Sequence, residues 1–292
     1  MDIISKKHIF LSASGIFVVV SIASILSFGL RQGIDLAGGT NWQFRTEKVV
    51  SEGELSEFLA KTLGHSNFTL RRSEAAFSLR LGSVTEEAHQ EYLSALKEQF
   101  GVEELIFESI GSSVGNELRK KSVWAAAFVL LGISLYVAWA FRKVSRPVSS
   151  WKYGLITLVT LAHDVIIPTG LLAFLGWRQG VEIDTNFIVA LLVIMGFSVH
   201  DTIVVFDRIR ENLFVYKGGK PLTEIVNMSI KETIARSINT SLTLILVLLA
   251  ILFWGPGTLF YFVLTILLGT TVGVYSSIFV ASPLLVMWQK KH

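Results

Sequence analysis

Six long apolar runs punctuate this 292-residue chain, at roughly 9–29, 123–141, 153–175, 186–206, 238–254 and 259–287. About 20 apolar residues in a helix cross the roughly 30 Å of bilayer hydrocarbon. The pattern therefore predicts six membrane-spanning helices. The last is longer than the bilayer requires and is expected to tilt, bend or protrude. Between the fourth and fifth runs, Pro221–Ser237 has apolar Leu222, Ile225, Val226, Ile230 and Ile234 at helical spacing. Its amphipathic character predicts a helix lying along the interface before the chain turns into the membrane.

Between the first two runs the period changes. Asn41–Glu47 alternates as a strand, and Ser51–Gly64 reads as a helix with Ser51 and Glu54 in a capping box. Phe68–Arg72 and Ala76–Leu81 alternate around a short turn, Thr85–Phe100 is a second amphipathic helix, and Glu103–Ile110 a further strand. The order βαββαβ predicts a ferredoxin-like split βαβ domain. The expected organisation is thus an α-helical membrane protein with three parts. Residues 1–29 form the N-terminal end and first span, 30–120 a single α+β domain, and 121–292 five further spans with an amphipathic segment at about 207–237.

Composition agrees: 51% of residues are hydrophobic and 17% charged, a balance outside the range of soluble domains. There is no cysteine, which excludes disulfides, thiol catalysis and thiolate metal sites. The net charge of +3 matters less than its placement. Lys6 and Lys7, then Arg142, Lys143, Arg146 and Lys152, then Arg208, Arg210, Lys217, Lys220, Lys231 and Arg236, and finally Lys290 and Lys291 all fall on one side of the predicted spans. By the positive-inside rule both termini are expected in the cytoplasm and residues 30–120 on the exported side. The clustering is a topology signal, not a nucleic-acid footprint.

Against this background, charges inside the apolar runs stand out. Asp201 lies within the fourth, and an ionisable group at membrane depth costs about 2.5–3.5 kcal/mol on insertion scales. Ser198, Asp201, Val205 and Arg208 share one face of that helix by their 3, 4 and 3 spacing. At the start of the fifth span Arg236, Asn239, Thr240 and Thr243 form a second polar stripe. Both helices approach the same boundary, so Asp201 and Arg236 are expected to meet, as a proton-exchanging pair or as a static ion pair locking two helices. His163 and Asp164 sit near the midplane of the third span, as relay members or as a hydrogen-bonding node. Asp207 and Arg208 mark a helix end, where topology alone explains charge. Thr265, Gly269, Gly273 and Ser277 repeat every four residues, a small-residue face for close packing. The glycine-rich stretch 33–39 lacks the Lys-Ser/Thr of a phosphate loop, and no HExxH, Ser-His-Asp or metal-ligand spacing occurs. No enzyme activity is expected.

The stretches Gly33-Ile-Asp-Leu-Ala-Gly-Gly-Thr40, Ser112-Ser-Val-Gly115 with Glu117-Leu118, His163-Asp164, Asp201-Thr-Ile-Val-Val-Phe-Asp-Arg-Ile-Arg-Glu-Asn212 and Arg236-Ser-Ile-Asn-Thr-Ser241 are spread over nearly the whole chain. In this order they resemble the SecD/SecF branch of the resistance–nodulation–division (RND) superfamily. The resemblance implies motif positions at Gly33, Asp35, Gly38, Gly39, Asp207 and Arg208. It also implies that Asp201 and Arg236 align with the family's proton-pathway residues. His200 stands where the family has asparagine, which argues against a family-wide relay role for it. The resemblance further implies a six-span half that pairs with SecD in the bacterial inner membrane. The pair would work beside the SecYEG channel on unfolded preproteins and draw on the proton motive force, with membrane lipids around it and no cofactor or nucleic acid. Two other readings remain open: a subunit of an RND-type small-molecule exporter, and a scaffold whose charges only fix packing.

Overall fold

The computed structural model describes residues 2–63, 68–73, 76–142, 148–216 and 219–288. Of the features singled out in the sequence, Lys143, Arg146, Lys217, Lys290, Lys291 and Gly64 lie outside the described residues. In chain order the elements are α1 (Lys7–Phe28), α2 (Ile34–Ala37), β1 (Gly39–Thr46), α3 (Glu52–Leu63), β2 (Thr69–Ser73), β3 (Ala76–Leu81), α4 (Glu86–Phe100), β4 (Val102–Ile110), α5 (Ser112–Ala140), α6 (Ser150–Gln179), α7 (Thr185–Tyr216), α8 (Leu222–Trp254), α9 (Phe260–Ser276) and α10 (Ser282–Met287). They divide into two compact units, one of Met1–Arg31 with Trp124–His292 and one of Gln32–Val123.

Among the described residues six helical segments are long and apolar enough to cross a membrane. The apolar runs mark their middles but not their ends. Polar sequence prolongs α7 to Tyr216 and starts α8 at Leu222. The amphipathic segment expected along the interface is instead the first part of α8, which runs unbroken to Trp254. The reason is local: after Pro221, which precedes the first turn, Leu222–Trp254 contains no proline or glycine to interrupt the backbone ladder. The sixth segment does bend. A π-helical turn, Ser277–Ala281, separates α9 from α10. Pro283 follows it, and its ring would clash with the carbonyl four residues back in a regular α-helix.

Helix α9 packs against α6, α7 and α8, and α1 packs against α6. The small-residue stripe on α9 makes this possible. A Cβ on Gly269 would fall inside the side chain of Ile194, and one on Gly273 would come within 3.1 Å of Ser198 Cβ. Beside the first turns of α8, Phe141, Tyr153 and Phe206 form a buried aromatic cluster. The N-terminal residues are tied to α8: the Asn227 side chain accepts from the Ile3 and Ile4 amides and donates to Asp2. The Ser5 amide and the Asn227 side chain hold the Asp2 carboxyl below its ordinary range.

In the second unit, four antiparallel strands lie in the order β2-β3-β1-β4. This is the order of a split βαβ unit. Its core gathers Trp42, Phe44, Leu55, Leu59, Leu79 and Leu96, all essentially without exposure. Ser51 and Thr85 cap α3 and α4 by accepting from the Glu54 and Ala88 amides. Before β1, Gly38 and Gly39 adopt φ of 79° and 126°, a region that side chains resist. A Cβ on Gly38 would lie 2.6 Å from Ser112 Cα, and one on Gly115 2.7 Å from the Gly38 nitrogen. The two stretches 33–40 and 112–115, distant in sequence, therefore meet backbone to backbone. Thr40, next in β1, accepts from the Val84 amide and donates to the Gly82 carbonyl, tying the strand to the connection that follows β3.

Candidate functional site

The site is built around two carboxylates on facing helices. Asp164 lies about halfway along α6, roughly 21 Å from its start at 1.5 Å per residue. Four residues on, Pro168 lacks the N–H that would close on the Asp164 carbonyl, so the helix is weakened at this turn. The Asp164 side chain is 0% exposed and fully engaged. Its Oδ1 accepts from His163 Nδ1 at 2.8 Å. Its Oδ2 accepts from Ser276 Oγ at 2.7 Å and from Ser198 Oγ. One carboxylate thus joins α6, α7 and the end of α9. His163 Nε2, on the ring's other side, is buried without a hydrogen-bond partner among the described residues.

Asp201 lies one turn along α7 from Ser198 and is 2% exposed. It looks the other way, toward α8, where Ser241 Oγ donates to it at 3.3 Å. Helices α7 and α8 run antiparallel, and a buried hydroxyl or amide recurs along their seam. Ser241, Ser237, Thr233 and Ser229 follow at four-residue spacing on α8. At the far end Asn212 donates to Ser229 and to Glu232, and Arg208 donates to Glu232 at 2.6 Å. Ser237 Oγ and Thr202 Oγ1 are buried without partners among the described residues.

The structure does not bring Arg236 to Asp201. Arg236, Asn239, Thr240 and Thr243 are all exposed, on the side of α8 turned away from α7. The reason is one residue of helical phase. Ser237 and Ser241 occupy the seam, and a step of one residue rotates a side chain by about 100°. The face inferred for Ser198, Asp201, Val205 and Arg208 also divides: Ser198 serves Asp164, whereas Asp201 and Arg208 meet α8. Asp207 is exposed and pairs with Arg210. His200 is exposed. Gly33, Asp35, Gly38 and Gly39 belong to the α/β unit, where the two adjacent glycines have a backbone role.

Ser276 and Ser241 were not expected as site residues. Ser276 lies 112 positions from the carboxylate it serves, and no local pattern signals the contact. The four-residue repeat of Ser229, Thr233, Ser237 and Ser241 was a visible signal for the α8 face. Among the described residues neither Asp164 nor Asp201 pairs with a lysine or arginine, and no cluster of three or more potential metal ligands occurs.

Residues 90–291 match the family model described as protein export membrane protein SecD/SecF, C-terminal, and residues 23–48 the SecD/SecF GG motif. The protein translocase subunit SecF of Thermobaculum terrenum is 42% identical, with 100% of this chain and 95% of that protein covered. The subunit SecF of Sebaldella termitidis is 35% identical over 99% of this chain and 92% of its own. A crystal structure of SecDF, a translocon-associated membrane protein from Thermus thermophilus, superposes with a TM-score of 0.82 at 33% identity. That match covers 99% of this chain but only 38% of the SecDF chain. Two motif regions that fold onto one another, six spans around buried carboxylates and full-length similarity to SecF proteins lead to one conclusion: the chain belongs to the SecD/SecF family of protein-export membrane proteins.

Proposed function

We propose that the chain is the six-span half of a Sec protein-export assembly whose other half is a SecD chain, and that it couples proton movement to export. In this reading the spans lie in a bacterial inner membrane with both termini cytoplasmic. The α/β unit is exported, the assembly sits beside SecYEG, and an unfolded preprotein is its substrate. The chain is not an enzyme; its chemistry is proton binding and release. The single observation that supports this best is the pair of carboxylates buried on either side of α7. Neither has a fixed lysine or arginine partner among the described residues.

Asp164 accepts three hydrogen bonds. Protonation would weaken its hold on Ser198 and Ser276 and loosen α7 and α9 from α6. Asp201, with one long bond from Ser241, is the less engaged of the two and the better placed to change its proton. His163 Nε2, Thr202 Oγ1 and Ser237 Oγ are buried without hydrogen-bond partners among the described residues. They are the donors and acceptors that a second arrangement of the helices would use. Arg236, with Asn239, Thr240 and Thr243, faces outward and would be covered by the SecD half. The Asp201–Arg236 relation expected from the sequence then requires the partner or a rotated α8.

Proton uptake by sealed vesicles containing the chain with its partner tests this reading against a scaffold. The expected result is uptake in the unmodified protein and its loss on Asp201→Asn, with both chains still assembled. Equal uptake in the two would make the buried charges packing devices only.

A further inference from the structure

We propose that His89, clasped between Glu104 and Glu86, is a proton-operated latch joining α4 to β4 in the α/β unit. The ring is buried, at 3% exposure. Its Nε2 lies 2.6 Å from Glu104 Oε2 on β4, and its Nδ1 lies 3.4 Å from Glu86 Oε1 one turn earlier on α4. The imidazole stacks on Phe107 of β4 with centroids 3.5 Å apart and meets the edge of Trp42 on β1. The groups facing it are therefore a carboxylate from its own helix, a carboxylate from β4 and an uncharged indole from β1. Among the described residues no lysine or arginine pairs with either carboxylate.

An ionised carboxylate only accepts hydrogen bonds, and a neutral imidazole donates from one nitrogen only. Both contacts are satisfied together when the ring carries two protons, as an imidazolium. Glu86 is kept an acceptor: the Gln90 amide and the His89 ring hold its carboxyl below the usual range. Loss of one proton from the ring turns one contact into a lone pair facing a carboxylate.

The backbone is shaped to make this site. The β1–β4 register shifts between Gln43 and Phe44, so that Gln43 faces Ile106 while Phe44 faces Glu104. Leu105 is the extra residue of a β-bulge. Without it, Leu105 would oppose Phe44 on the helix-covered face and Glu104 would point outward. The bulge reverses them, leaving Leu105 41% exposed and delivering a carboxylate to the buried histidine. Bulges re-aim side chains in this way. An apolar residue turned out and an acid turned in breaks the usual pattern, as functional sites do.

The sign follows from the geometry. The clasp is complete while His89 holds its second proton and is weakened when rising pH removes that proton. If the unit faces the exported side, which rests on the proposed function, the latch is closed on the proton-rich side and loosens when the gradient collapses.

Hydrogen–deuterium exchange of the full chain in detergent, corrected for the intrinsic pH dependence of exchange, tests the latch without partner or gradient. Its outcome is thus separable from that of the export reading. Amides of α4 and β4 are expected to open roughly tenfold more readily at pH 8 than at pH 6. In Glu104→Gln the ratio between the two pH values should fall to near one. Should that variant fail to fold, Glu86→Gln at the exposed end carries the test and must lower the ratio. Equal opening at both pH values in the unmodified chain, or an unchanged ratio in the variant that is read, overturns the proposal.

Discussion

Asp164 and Asp201 are both acids buried in apolar helices, yet their surroundings assign them different work. Three donors converge on Asp164, one from its own helix and one from each of two others, so this carboxylate is as much a clamp as a proton site. Asp201 has one hydroxyl at 3.3 Å. A buried acid at membrane depth was readable from the sequence because charge inside an apolar run is costly and rare. Its partners were not, because Ser276 becomes a neighbour only once α9 is known to lie against α6. The closeness of those helices depends on single atoms. Gly269→Ala would place a methyl group inside Ile194, and α7 and α9 would have to separate. Overpacking of this kind costs about 1–3 kcal/mol. A lowered thermal unfolding midpoint in detergent is expected, with recovery when Ile194→Val is added.

At the scale of elements, α8 shows what periodicity can and cannot decide. Its apolar run fixed the span, but the polar residues at its start admitted two stripes, one through Arg236, Asn239, Thr240 and Thr243 and one through Ser229, Thr233, Ser237 and Ser241. Only contacts with α7 decide between them, and they select the serine stripe. The same helix exposed the limit of hydropathy: its first turns are amphipathic rather than continuously apolar, yet they run without a break from Leu222 into the span. The outward stripe yields a prediction. The chain has no cysteine, so single cysteines carry spin labels on a clean background. A label at Thr240→Cys should be mobile in the chain alone and immobilised when the partner half is added. A label at Ser237→Cys should be immobile in both. Mobility at position 240 that ignores the partner would place the interface elsewhere.

For the molecule as a whole, the sequence already distinguished a helical membrane unit from an α/β unit, because their hydrophobic periods differ. The strand order could be anticipated from the order of elements, since a split βαβ unit leaves few ways to pair four strands. Its bulge could not, because one extra residue in β4 is invisible until β1 fixes the register. The junction of residues 33–40 with 112–115 shows why two separated motifs belong together: each lacks side chains where the other's backbone passes. The membrane unit holds two buried acids and, among the described residues, buried polar side-chain atoms without hydrogen-bond partners. The most direct test is preprotein export into inverted membrane vesicles with and without a proton gradient, comparing the unmodified chain with Asp201→Asn. The account predicts that the gradient's stimulation of export disappears in the variant while the gradient-independent rate and the assembly persist. Full stimulation in the variant would contradict it.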